Sequence, residues 1–307
     1  MRGLVVVSSV REIYRDFLDD VFEGVRTIAL TAPDTLRPVL DYHLSGLERS
    51  KGFRPAFVLA ASTQVHSPMQ YSDVVHRAAI VQLYHEMTLL ADDIFDHSRY
   101  RRGQVSAHCR FGTLITVCAA AWAKEVAVYL LRHDHQAVEA LCTCAFELVD
   151  AEALQWSVRL HSRPVALSTW MRIARGDTGG LFRLAASLAG YDPNSSVVEA
   201  IYILYHGLDD VSDLLELDEL GGPANADVRD GIPTLLTCFT AGRQKGELAQ
   251  AIPAALTYLS EVLERGSTEG GEMFLPFFDE LSNILTKAQR TLERQTAQQS
   301  IVLDAVL

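Results

Sequence analysis

Lysine is scarce in this chain: Lys51, Lys124, Lys245 and Lys287 are the only four among 307 residues, so arginine carries nearly all of the 27 positive charges. Those 27 stand against 39 Asp and Glu, for a formal charge of −12. Generic nucleic-acid binding needs a basic face to neutralise phosphates, and this balance argues against it. Cysteine is also sparse. The five thiols, Cys109, Cys118, Cys142, Cys144 and Cys238, are odd in number and show no CxxC or Cys/His zinc spacing. They lie mostly in apolar segments, which reads as reduced core residues. The opening apolar run Gly3-Leu4-Val5-Val6-Val7 is too short for a secretory signal and soon meets Arg11. No stretch approaches the roughly 18 to 20 uninterrupted apolar residues of a membrane helix. The expectation is a soluble, cytoplasmic protein without a membrane span.

Sustained alternation of apolar and polar residues, the mark of a half-buried strand, is nearly absent. Apolar residues recur instead at i, i+3, i+4 and i+7, which predicts an all-α chain with helices near 9–29, 35–49, 54–65, 71–97, 108–132, 135–161, 166–190, 195–219, 232–242, 246–265 and 273–303. Pro33, Pro55, Pro68, Pro164, Pro193, Pro223 and Pro233 fall at or near the proposed starts and breaks, where a missing N–H costs least. There is no fixed-period repeat, low-complexity run or Gly/Ser-rich linker. A single helical domain over 1–307 is the economical reading.

Two acidic clusters interrupt the apolar pattern. Asp92-Asp93-Ile94-Phe95-Asp96 closes the long predicted helix from Tyr71, with Asp92 and Asp96 on one face and Asp93 about 100° round from Asp92. Asp209-Asp210-Val211-Ser212-Asp213 repeats the spacing on another apolar helix. Carboxylates converging at a helix end need a counter-charge, and such hard oxygen ligands suit Mg²⁺, which completes its shell with water and substrate phosphates. An EF-hand loop is excluded, because Ile, Phe and Arg occupy positions that need oxygen ligands or Gly. Arg101-Arg102-Gly103 follows, placing two guanidiniums about two helical turns past the acidic residues, where they can fork onto phosphate oxygens.

With these residues in view, the chain resembles the trans-isoprenyl diphosphate synthase (polyprenyl synthetase) family of class I isoprenoid enzymes. The family's DDxxDxxxxRRG stands intact at 92–103, and Leu83-Tyr84-His85 resembles its Leu-Ile-His segment. Ser50-Lys51-Gly52-Phe53-Arg54-Pro55 is similar to Gly-Lys-Arg-Leu-Arg-Pro. Glu152-Ala153-Leu154-Gln155 matches a Glu-x-x-Gln stretch, and Thr178-Gly179-Gly180-Leu181-Phe182 matches the segment after the family's lysine. Asp227-Val228-Arg229-Asp230-Gly231 with Thr234 matches Asp-Leu-Arg-Glu-Gly-Lys-x-Thr.

The resemblance implies a class I isoprenoid synthase helical bundle around a central cavity. It also implies three Mg²⁺ held by Asp92, Asp93, Asp96, Asp209, Asp210 and Asp213. The implied reaction is electrophilic: an allylic isoprenoid diphosphate loses diphosphate and its cation is attacked by isopentenyl diphosphate. The acceptor's diphosphate would meet Lys51, Arg54, His85 and Arg102, and Arg101 would contact the allylic diphosphate. Members usually dimerise through central helices, which marks Cys118 to Ala127 as a candidate homodimer surface.

The chain departs from the family's pattern on the allylic side. Three expected lysines are replaced by Asp177, Gly222 and Ile232, Gly52 replaces an arginine, and Tyr205-His206 replace Phe-Gln before the second cluster. Arg172 and Arg175 are candidate compensating cations, and Arg175-x-x-Thr178-Gly179 resembles a diphosphate-sensing segment of terpene cyclases. Leu217 stands where a cyclase's metal motif would want an acid. Three readings stay open: a prenyltransferase using isopentenyl diphosphate or another phosphate-bearing acceptor, a terpene cyclase acting on farnesyl or geranylgeranyl diphosphate, and a non-catalytic partner subunit. For chain length, the positions that block elongation in the family hold Met87 and Thr88, and Tyr84 one turn deeper suggests a floor for about C15 to C20 chains.

Overall fold

The computed structural model describes residues 8–65, 69–161, 165–217, 231–240 and 244–304. Its Cα packing forms two compact units, Met1–Ala145 with Leu181–Pro193, and Phe146–Gly180 with Asn194–Leu307. The chain passes between them three times, within helices α8 (His135–His161) and α9 (Leu167–Ala189) and again after Pro193.

In the first unit, Ser9 and Glu12 form a reciprocal capping box that starts α1 (Val10–Ile13). Tyr14 separates α1 from α2 (Arg15–Ala29), whose inner face is Phe17, Leu18, Val21, Phe22 and Val25. After α3 (Arg37–Leu44) and a 3₁₀ turn at Leu47–Arg49, α4 (Phe53–Ser62) begins at Gly52. Gly52 has φ 69°, and a Cβ there would meet Leu18 Cδ1 at 2.6 Å, so the family's arginine has no room in this backbone. The central element is α5 (Tyr71–Phe95), packed by α2, α4 and α7 (Thr113–Leu131), with the short α6 (Ala107–Phe111) before α7. Being enclosed, α5 is apolar on several sides through Val74, Ala78, Ala79, Ile80, Val81 and Leu83.

Helix α7 is long and apolar enough to cross a membrane by length and composition, with mean hydropathy 1.6 over an 18-residue window that is only one third buried. The apolar run is not uninterrupted, since Lys124 and Glu125 fall inside it. Leu114, Val117, Cys118 and Ala121 form an i, i+3, i+4, i+7 stripe of exposed residues, and Leu114 is 83% exposed. The cysteines differ from expectation. Cys109, Cys118 and Cys142 are exposed and Cys144 alone is buried, because the apolar segments carrying them turn one face outward.

In the second unit, α10 (Ser196–Leu215) starts at Ser195, whose hydroxyl accepts from the Val198 N–H, and ends at Glu216 in the left-handed region. It packs on α11 (Lys245–Glu269), α12 (Leu275–Asp304) and the 3₁₀ turn Leu235–Cys238. The helix predicted over 232–242 is this single 3₁₀ turn where described, since Pro233 and Gly231 leave too few residues to nucleate more. The other predicted helices are present, but three of them are broken: 9–29 at Tyr14, 35–49 after Leu44, and 108–132 at Gly112, whose φ is 97°.

Candidate active site

Helix α5 ends at Phe95, with Asp96 as its C-cap. The chain then forms a two-residue hairpin: Tyr100–Arg101 pairs with Gln104–Val105 across Arg102 and Gly103. Both turn residues have positive φ, 51° and 73°, as in a type I′ hairpin. The arginines therefore sit on a turn beyond the helix. Gly103 accepts this backbone freely, whereas Arg102 bears a strain of about 1 kcal/mol.

The turn sends the neighbouring arginines to different carboxylates. Arg101 donates from Nε to Asp93 Oδ1 at 2.8 Å and places Nη2 at 2.7 Å from the same oxygen. Although burial opposes its charge, Asp93 raises the Arg101 pKa above its ordinary value. Arg102 forks onto Glu86, with Nη1 to Oε2 at 3.0 Å and Nη2 to Oε1 at 2.9 Å. Glu86 is 2% exposed and also accepts from Gln82 Nε2 at 2.6 Å, and His43 Nε2 lies 2.8 Å from its Oε2. Burial alone would raise the Glu86 pKa, but Arg102 and His43 hold it well below the usual carboxylate range.

The predicted acceptor-side residues all belong to this unit. Arg54 Nη1 is 3.4 Å from His85 Nε2, and its guanidinium lies 5.5 Å from the Phe182 ring centroid. Burial, reinforced by the Arg54 charge, pushes the His85 pKa well down, so its ring is neutral near pH 7. Lys51 is half-buried just before the Gly52 bend. Met87 is half-buried, as is Thr88, which donates to the His85 carbonyl. Tyr84 is 2% exposed, and burial raises its pKa, with Cys144, Cys142 and Glu125 as ionisable neighbours.

In the second unit, Asp210 is the anchored member of its cluster. Its Oδ2 accepts from Trp170 Nε1 at 2.8 Å and from the Leu235 N–H at 2.7 Å, tying α10 to α9 and to the 3₁₀ turn. Asp209 is exposed and Asp213 half-buried. Asp177, standing for a lysine, lies 3.5 Å from His206 Nδ1, and Thr178 Oγ1 is 2.9 Å from the same atom. Burial lowers the His206 pKa, opposed by Asp177. The candidate compensating cations are engaged on α8: Arg172 forks onto Asp150, and Arg175 pairs with Glu147 and bonds Asn194. The reason is helical phase. Residues 172, 175 and 176 share the face that crosses α8 so closely that a Cβ on Gly176 would lie 2.4 Å from the Glu147 carbonyl oxygen. Gln155 is half-buried on α8, Ile232 is half-buried, and 218–230, including Gly222 and Asp227 to Asp230, lie outside the described residues.

No three Asp, Glu, His or Cys side chains among the described residues form a ready-made metal cluster. One atom does fit a cation. Asp93 is 1% exposed, and its Oδ2 is buried without a hydrogen-bond partner among the described residues. A buried carboxylate oxygen left so is costly. Mg²⁺ needs only one or two carboxylates when substrate phosphates and water complete its shell, so the donor set is compatible.

Four side chains of the candidate site were not picked out from the sequence: Glu86, His43, Gln82 and Trp170. Glu86 had a signal, an acid in the middle of an apolar helix. His43 and Trp170 had none, since only tertiary packing pairs them with their carboxylates.

The family model for polyprenyl synthetase matches residues 33–264. Among relatives, a probable mitochondrial hexaprenyl pyrophosphate synthase of Neurospora crassa is 33% identical over 183 residues, covering 53% of this chain and 40% of that protein. Geranylgeranyl pyrophosphate synthase 3 of Zymoseptoria tritici is 30% identical over 150 residues, covering 48% and 41%. The chain thus matches about four-tenths of the length of these two curated relatives. A geranylgeranyl pyrophosphate synthase structure from Lactobacillus brevis superposes with TM-score 0.72 at 18% identity, covering 91% of this chain and 99% of that one. A Caulobacter crescentus polyprenyl synthase, solved with calcium and isoprenyl diphosphate, gives 0.70 at 19% identity, covering 90% and 96%. These likenesses show the all-α class I isoprenoid synthase fold. With three quarters of its length matched by the family model, the chain belongs to the polyprenyl synthetase family.

Proposed function

We propose that this chain is a Mg²⁺-dependent prenyltransferase that couples an allylic isoprenoid diphosphate of the C15–C20 class to isopentenyl diphosphate and releases diphosphate. The observation that carries the reading is the end of α5. There, Asp92, Asp93 and Asp96 stand beside an arginine turn, and a buried Asp93 oxygen is left for a cation. Asp92 and Asp96, one helical turn apart, and likewise Asp209 and Asp213, are the residues that would hold the metals, three in number. Magnesium, when bound, neutralises the leaving diphosphate and acts as a Lewis acid on it. Arg101 fixes Asp93, and Trp170 with the Leu235 N–H fixes Asp210, so each cluster is oriented before substrate arrives. Lys51, Arg54 and Arg102 would orient the acceptor's diphosphate, with the neutral His85 ring beside Arg54 as a hydrogen-bonding group.

One observation favours a second reading. Where the family has a lysine, Asp177 pairs with His206, and Arg172 and Arg175 are engaged on α8, so the allylic side differs from that of an ordinary elongating enzyme. That difference favours a cyclase acting on an allylic diphosphate alone. The test is incubation with Mg²⁺ and farnesyl or geranylgeranyl diphosphate, with and without isopentenyl diphosphate. Elongated diphosphate formed only with the acceptor, and abolished by Asp92→Ala, supports the proposal. Hydrocarbon formed without acceptor overturns it in favour of the cyclase, and no turnover in either tube overturns it in favour of a partner subunit. We further propose that a second copy of the chain covers the exposed α7 stripe, because Lys124 and Glu125 in mid-helix suit a protein neighbour better than lipid.

A further inference from the structure

The acceptor side contains a buried anion that the proposed reaction does not call for. Glu86 lies among Arg102, His43 and Gln82, with four polar atoms within 3.0 Å of its two oxygens. The bidentate pair gives Arg102 a fixed direction despite its strained backbone. It also offsets the guanidinium's charge, since a cation and an anion at hydrogen-bond distance present a dipole to anything farther away. His85, the other potential cation beside Arg54, is held neutral. Of the four groups assigned to the acceptor's diphosphate, Arg102 is therefore paired with an internal anion and His85 carries no charge.

We propose that Glu86 is a specificity-determining residue for the acceptor, an internal anion that competes with the acceptor's diphosphate for Arg102 and so sets a weak acceptor affinity and a requirement for the hydrocarbon part of the substrate. The inference rests on the reading that Lys51, Arg54 and Arg102 receive that diphosphate, and it deepens that reading. An enzyme with a bare guanidinium here would hold inorganic diphosphate and isopentenyl diphosphate nearly alike, because charge would dominate both. With Glu86 in place the electrostatic share falls, and the apolar contact made by isopentenyl carbons decides between the two.

The test is a set of titrations of isopentenyl diphosphate and of inorganic diphosphate into the full chain by calorimetry. They are accompanied by steady-state KM values for both substrates and by a thermal melt of each variant. Glu86→Gln keeps the shape and removes the charge. It should tighten both acceptor-site ligands about tenfold and lower the isopentenyl diphosphate KM, while the allylic KM stays within twofold. Glu86→Asp keeps the charge and should not tighten either ligand. If Gln and Asp both weaken binding, Glu86 only positions Arg102 and the proposal is overturned. Where the Gln variant melts too low to assay, Glu86→Gln with Arg102→Gln replaces it, leaving no buried charge unbalanced. That pair should bind acceptor at least about fivefold more tightly than Arg102→Gln alone, which faces the ligand with a bare carboxylate, and equal affinity would overturn the idea. Lys51→Ala separates the two levels. If it leaves isopentenyl diphosphate binding unchanged, the assignment of the acceptor site fails, and the role of Glu86 with it. If it weakens binding while Glu86→Gln does not tighten it, the role of Glu86 alone fails.

Discussion

Replacing Trp170 by Phe removes one N–H from the second acidic cluster while keeping an aromatic ring in a site that is 0% exposed. The indole Nε1 donates to Asp210 Oδ2 at 2.8 Å, and the ring packs 5.5 Å from His206 and edge-on to Tyr258 at 6.4 Å. A hydrogen bond to a charged, buried acceptor contributes about 1.5–3 kcal/mol, and Asp210 keeps the Leu235 N–H as a partner, which limits the loss to that one bond. The volume lost between indole and phenyl adds a cavity cost of about 1 kcal/mol. The expected destabilisation is about 3 kcal/mol, or a fall in melting temperature of about 6–12 °C for a chain of this size. Circular dichroism at 222 nm follows this without relying on the fluorophore being removed. Trp156→Phe is the control: its Nε1 also bonds a carboxylate, Glu152 at 2.7 Å, but from a half-buried position on one helix, and it should cost less than about 1 kcal/mol. If the two variants melt together, Trp170 does not anchor Asp210 and the account of the second cluster is wrong.

Other expectations follow from the same structure. Gly52→Arg, which restores the family's residue, should destabilise by about 2 kcal/mol or more, because φ is positive and Leu18 fills the Cβ direction; an unchanged melt would refute the packing argument. Burial depresses the pKa of His85 and of His206, so their contribution to stability is complete above about pH 6.5 and is lost as the pH falls through their folded values. Arg102 and His43 depress that of Glu86, whose contribution is complete above about pH 4.3 and lost below it. Melting temperature should therefore hold level between pH 6.5 and about pH 9 and decline in two stages below that, and a maximum near pH 5 would contradict this. Val117→Arg, on the exposed face of α7, should shift the chain to monomer in sedimentation or light scattering without lowering its melting temperature at high dilution.

The helices were legible because their burial is strong and periodic. Helix α2, with Phe17, Leu18, Val21, Phe22 and Val25 inward, is written almost without ambiguity. The acidic clusters were legible as spacing. What spacing could not show is that each cluster contains a buried member, Asp93 or Asp210, held through one of its oxygens by donors from elsewhere in its unit. The arginine hairpin was invisible because strands of two residues carry no period, and its turn shows only in the positive φ of Arg102 and Gly103. The cysteines misled for the opposite reason. An apolar segment with one face outward looks like a core segment until its neighbours are placed, and α7 shows this along its whole length.

The arginine turn has a mechanical consequence. Glu86 and Asp93 are seven residues apart on one face of α5, a rise of about 10.5 Å along the helix axis. Arg101 and Arg102 are consecutive, yet each is pinned to one of these carboxylates, so the hairpin spans two turns of the helix like a clasp closed on a rod. The distance between the two guanidiniums is then gauged by helical pitch instead of by loop conformation. Lengthening or shortening the segment between Asp96 and Arg101 would break one clasp or the other, but it could not retune the interval.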